Sequence, residues 1–67
     1  MFNKNKFEAM LLNHSVSKKD LAYYLNISIS YLYKKISNGG DFNVEEIRLM
    51  TNLFGRNEVL DCLFDCE

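Results

Sequence analysis

The chain has 67 residues, with eight Lys/Arg against nine Asp/Glu for a formal charge of −1, and it is 48% hydrophobic. That suits one small domain able to fold and leaves little room for a deep catalytic cleft. No apolar run approaches the roughly 20 residues of a membrane span, and the stretch from Met1 to Lys6 lacks a signal-peptide core; a cytoplasmic protein is expected.

The first predicted helix covers about 5–13, where Phe7, Met10 and Leu11 recur at i, i+3, i+4. Asn13 to Ser15 break it. The second covers 18–25. Ser17 is its N-cap, Asp20 sits at N3 for a capping box, and Val16 and Leu21 can form a hydrophobic staple. Leu21, Ala22 and Leu25 form the inner face, and Asn26 tolerates the left-handed conformation that ends helices. The third covers 29–37, with Ser28 as N-cap, Leu32 and Ile36 inward, Ile29 beside them, and Asn38-Gly39-Gly40 as the stop. The fourth covers 44–53, capped by Asn43 with Glu46 at N3; Ile47, Met50, Leu53 and Phe54 set the period, and Gly55 ends it. The fifth covers 57–64 and carries Val59, Leu60, Leu63 and Phe64. No stretch alternates as a strand would, so the expected fold is all-α with five short helices.

Cys62 and Cys66 are the two cysteines and His14 the one histidine. Without a secretion signal the thiols read as reduced, and a metal site needs more ligands than these. His14 reads as a helix-end residue that helps cap carbonyls. No nucleophile–base or paired-acid set converges, so no enzyme, cofactor or small-molecule substrate is expected.

The turn between the second and third segments is the informative feature. One helix stops at Asn26 and the next is capped at Ser28. So short a turn forces a steep crossing, the helix-turn-helix arrangement whose second helix can enter the DNA major groove. The stretch from Ser17 to Ser28, with Leu21-Ala22 in mid-helix and Ile27-Ser28 after the turn, resembles the signature of the phage repressor/Cro family, the XRE or lambda-repressor-like class. Tyr31 to Gly39 resembles that family's recognition helix and its Asn-Gly exit. Phe42-Asn43-Val44-Glu45-Glu46-Ile47 resembles the start of its fourth helix, and the whole resemblance spans about residues 6–64. Two departures stand out: Asn26 replaces the usual turn glycine, and the recognition helix is one residue longer before its Asn-Gly.

The resemblance implies that base edges are read by Ile29, Ser30, Tyr33 and Lys34. Lys34 would donate to guanine, Ser30 would meet several bases, and Ile29 would touch a thymine methyl. It implies phosphate contact at Lys18. Lys19, Tyr31, Lys35 and Asn38 are further phosphate candidates, and the free amides at the start of the second helix suit phosphate too. The plainer reading of the same residues is solvated lysines, core packing for Ile29, and packing for Tyr23 and Tyr24.

A net charge near zero argues against nucleic acid, but the average hides a gradient. Residues 1–40 hold six lysines against Glu8 and Asp20, giving +4; residues 41–67 hold Arg48 and Arg56 against seven acids, giving −5. The basic excess lies with the helix-turn-helix. With about three or four phosphate contacts a monomer binds weakly. A homodimer is therefore expected, with Val59, Leu60, Leu63 and Phe64 as interface candidates; the plainer reading is that the fifth helix closes the core. The leading expectation is a phage-type regulator on double-stranded operator DNA in a bacterial host. The alternative is an antirepressor or modulator that binds a phage repressor protein.

Overall fold

A computed structural model describes residues 1–65, and Cys66 lies outside the described residues. Five helices follow in order: α1 Lys4–Asn13, α2 Lys18–Leu25, α3 Ile29–Ser37, α4 Val44–Phe54 and α5 Arg56–Leu63. No strand occurs among the described residues, so the chain is all-α, and no helix in them is long and apolar enough to cross a membrane.

Local chemistry sets the helix boundaries. The side chains of Ser17, Ser28 and Asn43 each accept from a backbone N–H three residues on, at Asp20, Tyr31 and Glu46. Ser17/Asp20 and Asn43/Glu46 are complete capping boxes. Asn3 caps α1 in the same way through Lys6 N–H, a start signal the sequence reading did not assign.

The first three helices end alike, in Schellman turns. In each, one residue turns left-handed: Ser15 at φ 57°, Asn26 at φ 62° and Gly39 at φ 79°. The next residue then donates back over the turn, Val16 to Leu11 O, Ile27 to Ala22 O and Gly40 to Lys35 O. Asn26 does what the sequence assigned to it. Gly55, at φ 104°, both ends α4 and starts α5.

The inner faces of all five helices share one core. Phe7, Leu21, Leu32, Met50, Val59 and Cys62 are its most deeply buried members. Each such Leu, Phe, Val or Met side chain contributes about 1.5–3 kcal/mol on transfer out of water. An aromatic cluster closes one side: Phe7 lies 5.5 Å from Phe2 and 5.7 Å from Phe42, centroid to centroid. A Cβ at Gly40 would overlap the Phe2 ring.

Three sequence assignments need correction here. Val59 and Leu63 are core residues and not surface for a partner. They fall on the same inward stripe of α5 as Cys62, so three of the five apolar residues between positions 59 and 64 are taken up by the core. Leu60 is half-buried, and Phe64 is exposed. His14 does end α1, where its backbone N–H donates to Met10 O at 3.2 Å, but its side chain caps no carbonyl: its Nε2 meets the Glu58 carboxylate at 2.9 Å, and its ring sits edge-on to Phe54 at 5.1 Å. A carboxylate only accepts, so Nε2 carries the proton.

The two ends of the described chain are clasped together. Met1 and Asp65 exchange backbone hydrogen bonds. Asn3 N–H donates to Cys62 O at 2.7 Å, and Asn3 Nδ2 donates to Asp65 at 2.8 Å. Lys6 bridges Asp61 and Asp65, each at 3.3 Å. These partners favour the charged forms: the Lys6 ammonium is held above its ordinary pKa by its two carboxylates, and Asp65 is held below its own by Asn3, then Lys6.

Candidate nucleic-acid interface

The surface in question is built by α2 and α3, which pack on each other across the turn at Asn26, Ile27 and Ser28. Leu32 and Ile36 anchor α3 in the core, together with Leu21, Ala22 and Leu25 of α2. Because the inner stripe of α3 is fixed, its outer stripe is fixed as well. Ser30, Tyr33, Lys34 and Ser37 are exposed on it, at the i, i+3, i+4, i+7 spacing of one helical side. Ile29 stands at the margin of the core, 36% exposed. Asn38 is exposed at the helix end.

Lys34 and Lys19 are exposed, and neither has an acidic partner among the described residues. The other two lysines of the pair are committed. Lys18 Nζ lies 3.3 Å from Glu8 and 5.8 Å from the Tyr33 ring centre. Lys35 is buried, with only 7% of its surface exposed. Its Nζ lies 3.0 Å from Glu46 Oε1, donates to Asp41 O at 3.0 Å, and stands 4.6 Å from the Tyr31 ring centre. Lys35 is therefore removed from the phosphate candidates. It sits three residues after Leu32 and one before Ile36, on the flank of the inner face, and that spacing was the signal in the sequence. Burial works to lower its pKa, but the hydrogen bond and charge of Glu46 outweigh it, so the ammonium is held above the ordinary value.

Glu46 thus has two duties that the sequence showed only in part. One carboxylate oxygen accepts from Asn43 N–H at 3.0 Å to complete the α4 cap, and the same oxygen meets Lys35. The result ties the last turns of α3 to the first turn of α4.

The linear charge gradient does not persist in space. Of the six lysines in residues 1–40, Lys6, Lys18 and Lys35 are ion-paired, two of them with acids from the second half of the chain. The start of α2 is less welcoming to a phosphate than expected. Ser17 Oγ already accepts from the Asp20 amide, and the Asp20 carboxylate lies in that same turn. What the surface has instead is aromatic: all four tyrosines of the chain lie on α2 and α3, and all four are exposed. Tyr23, read from the sequence as a packing residue, is 88% exposed.

No protein-family model, curated protein or solved structure matches the chain.

Proposed function

We propose that the chain is a sequence-specific DNA-binding regulator of transcription, of phage Cro or short-repressor type. It acts in the cytoplasm of a bacterial host, with α3 in the major groove of an operator. The observation that carries this reading is the pair Ser30 and Lys34. They are exposed one turn apart on a helix that is capped at its start, Schellman-closed at its end and anchored by Leu32 and Ile36. Among the described residues Lys34 has no acidic partner, so it is available to guanine O6 and N7. Ser30 adds a short donor and acceptor one turn earlier, and exposed Lys19 and Asn38 are the phosphate contacts of this reading, the kind that fix register. The function needs no chemistry and no cofactor.

On the α2–α3 surface two lysines without an acidic partner among the described residues make a small electrostatic footprint, so the affinity comes from two half-sites held by a homodimer. For such a contact the end of α5 offers half-buried Leu60, with Phe64 exposed just past the helix. In a gel-shift titration, Ser30→Ala with Lys34→Ala is expected to abolish the specific complex while the helical circular-dichroism spectrum is retained. A specific complex of wild-type affinity in that variant would refute the assignment.

A second reading rests on the tyrosines. Tyr is enriched at protein interfaces and charge is depleted at their centres, and this surface joins four exposed tyrosines to two unpaired lysines. On that reading the surface binds a phage repressor protein and relieves it. Tyr23→Asp would then abolish co-purification with the repressor and leave DNA binding undetectable before and after.

A further inference from the structure

We propose that Tyr31 and Tyr33 are preorganised DNA-contact side chains, each held by a Glu–Lys relay from a neighbouring helix; this rests on the DNA-binding reading above. The two tyrosines of α3 share one arrangement. Tyr31 has the Lys35 ammonium 4.6 Å from its ring centre, and Lys35 is fixed by Glu46 of α4 at 3.0 Å. Tyr33 has the Lys18 ammonium 5.8 Å from its ring centre, and Lys18 is fixed by Glu8 of α1 at 3.3 Å. Both distances lie within the reach of a cation–π contact. Two helices that do not belong to the α2–α3 pair thus reach α3 through the same three-group chemistry.

The consequence for recognition is physical. A tyrosine has only two side-chain torsions, so one contact on its ring removes much of the entropy it would otherwise lose on binding. Each ring is covered by its ammonium on one side and stays about half open, at 49% for Tyr31 and 51% for Tyr33. A cation on the ring face draws electron density from the phenol and makes its O–H a stronger donor to an anionic phosphate oxygen. Lys18 and Lys35 are then positioning residues, and Glu8 and Glu46 position them in turn. None of the four is counted among the charges that release counterions from DNA.

The relay and the direct-contact alternative differ in sign. If Lys18 met phosphate itself, Glu8→Gln would free it, tighten binding, and steepen the salt dependence by about 0.9 in log K against log salt. If Lys18 supports Tyr33, Glu8→Gln weakens binding although it adds net positive charge.

The probe is a DNA duplex that the wild-type chain enriches from a random-sequence pool, titrated at several salt concentrations. We expect Glu8→Gln to weaken binding about two- to fivefold, the scale of an exposed cation–π contact, with the salt slope unchanged. Tyr33→Ala is expected to weaken it about tenfold or more, the scale of a hydrogen bond to a charged group. The double variant should bind no worse than Tyr33→Ala alone, because the relay has nothing left to hold. Tyr31→Phe should lose as much as Tyr31→Ala. These sites are on the surface, so the test does not depend on variants of the buried pair. Tighter binding or a steeper slope for Glu8→Gln overturns the relay, as does a double variant whose losses multiply. A wild-type chain that enriches no duplex overturns the DNA reading itself, a separate observation made before any variant is compared.

Discussion

Replacing Glu46 by Gln, or Lys35 by Met, breaks an ion pair whose side chains are only 7% and 9% exposed. Removing one partner of a buried pair leaves the other charge without compensation and costs about 3–5 kcal/mol. For Lys35→Met the orphan is the Glu46 carboxylate, which keeps the Asn43 amide as its partner. For Glu46→Gln the orphan is the Lys35 ammonium, which keeps Asp41 O. Those surviving bonds put both variants at the lower end, about 3 kcal/mol. A domain of this length has a total stability of about 3–10 kcal/mol, and each kcal/mol moves the midpoint of a domain this small by about 4–8 °C. Each single variant should therefore melt at least about 12 °C below wild type by circular dichroism. The double variant Lys35→Met/Glu46→Leu removes both charges and leaves apolar groups of similar size, which in buried pairs is about neutral, less about 1 kcal/mol for the lost capping acceptor. It should be more stable than either single variant. Single variants that melt within about 4 °C of wild type, or a double variant as unstable as the sum of the two, would refute the claim that the pair locks α3 to α4.

Gly40→Ala must adopt φ 72° and overlap the Phe2 ring, whereas Gly39→Ala must adopt φ 79° in open space. The second should cost about 1 kcal/mol and the first clearly more, as read from urea midpoints; equal losses would show that Phe2 yields freely. Ser15→Gly should stabilise the fold by about 1 kcal/mol, because Ser15 ends α1 at φ 57°. The same urea midpoints check this, and a loss would contradict it. Asp65 has a folded pKa below its ordinary 3.8, caused first by Asn3 and then by Lys6. Its stabilisation is present above that ordinary value and lost as pH falls through the folded one. An acid titration of Asp65→Asn should therefore show a shallower stability loss below about pH 4 than wild type. The Cys62 thiol is pushed up to about 11 by burial. In a Cys66→Ser background it should resist alkylation at pH 8 in the native state and react readily in urea. Its linked stability should fade between its ordinary 9.0 and about 11.

Most of the scaffold was legible because it is written in local chemistry. Ser17/Asp20 and Asn43/Glu46 are four-residue patterns with one geometric solution, and Asn26 is a residue that tolerates φ 62°. The inner faces followed from 3.6-residue spacing, from Phe7 in α1 to Met50 in α4. The charges were not legible in this way. Lys35 and Glu46 are eleven positions apart, and Lys6 meets Asp61 across 55. A running sum along the chain cannot show which lysines the fold has already spent. It therefore overstated the basic surface and missed Glu8 and Glu46 as partners of Lys18 and Lys35. Tyr23 was misread for a related reason: an aromatic ring beside an apolar stripe suggests packing until the helix direction is fixed.

Ser30 and Lys34 carry the proposed recognition, and the most direct measurement of it is a salt-dependent titration of the wild-type chain and Ser30→Ala/Lys34→Ala on a duplex enriched from a random pool. A specific wild-type complex is expected, with a log K that falls against log salt by about 0.9 per half-site from the phosphate contact of Lys19. The double variant should keep only weak, sequence-indifferent binding, with the slope from Lys19 retained. A wild-type chain that enriches no duplex, or a double variant that still selects the same sequence, would contradict the assignment.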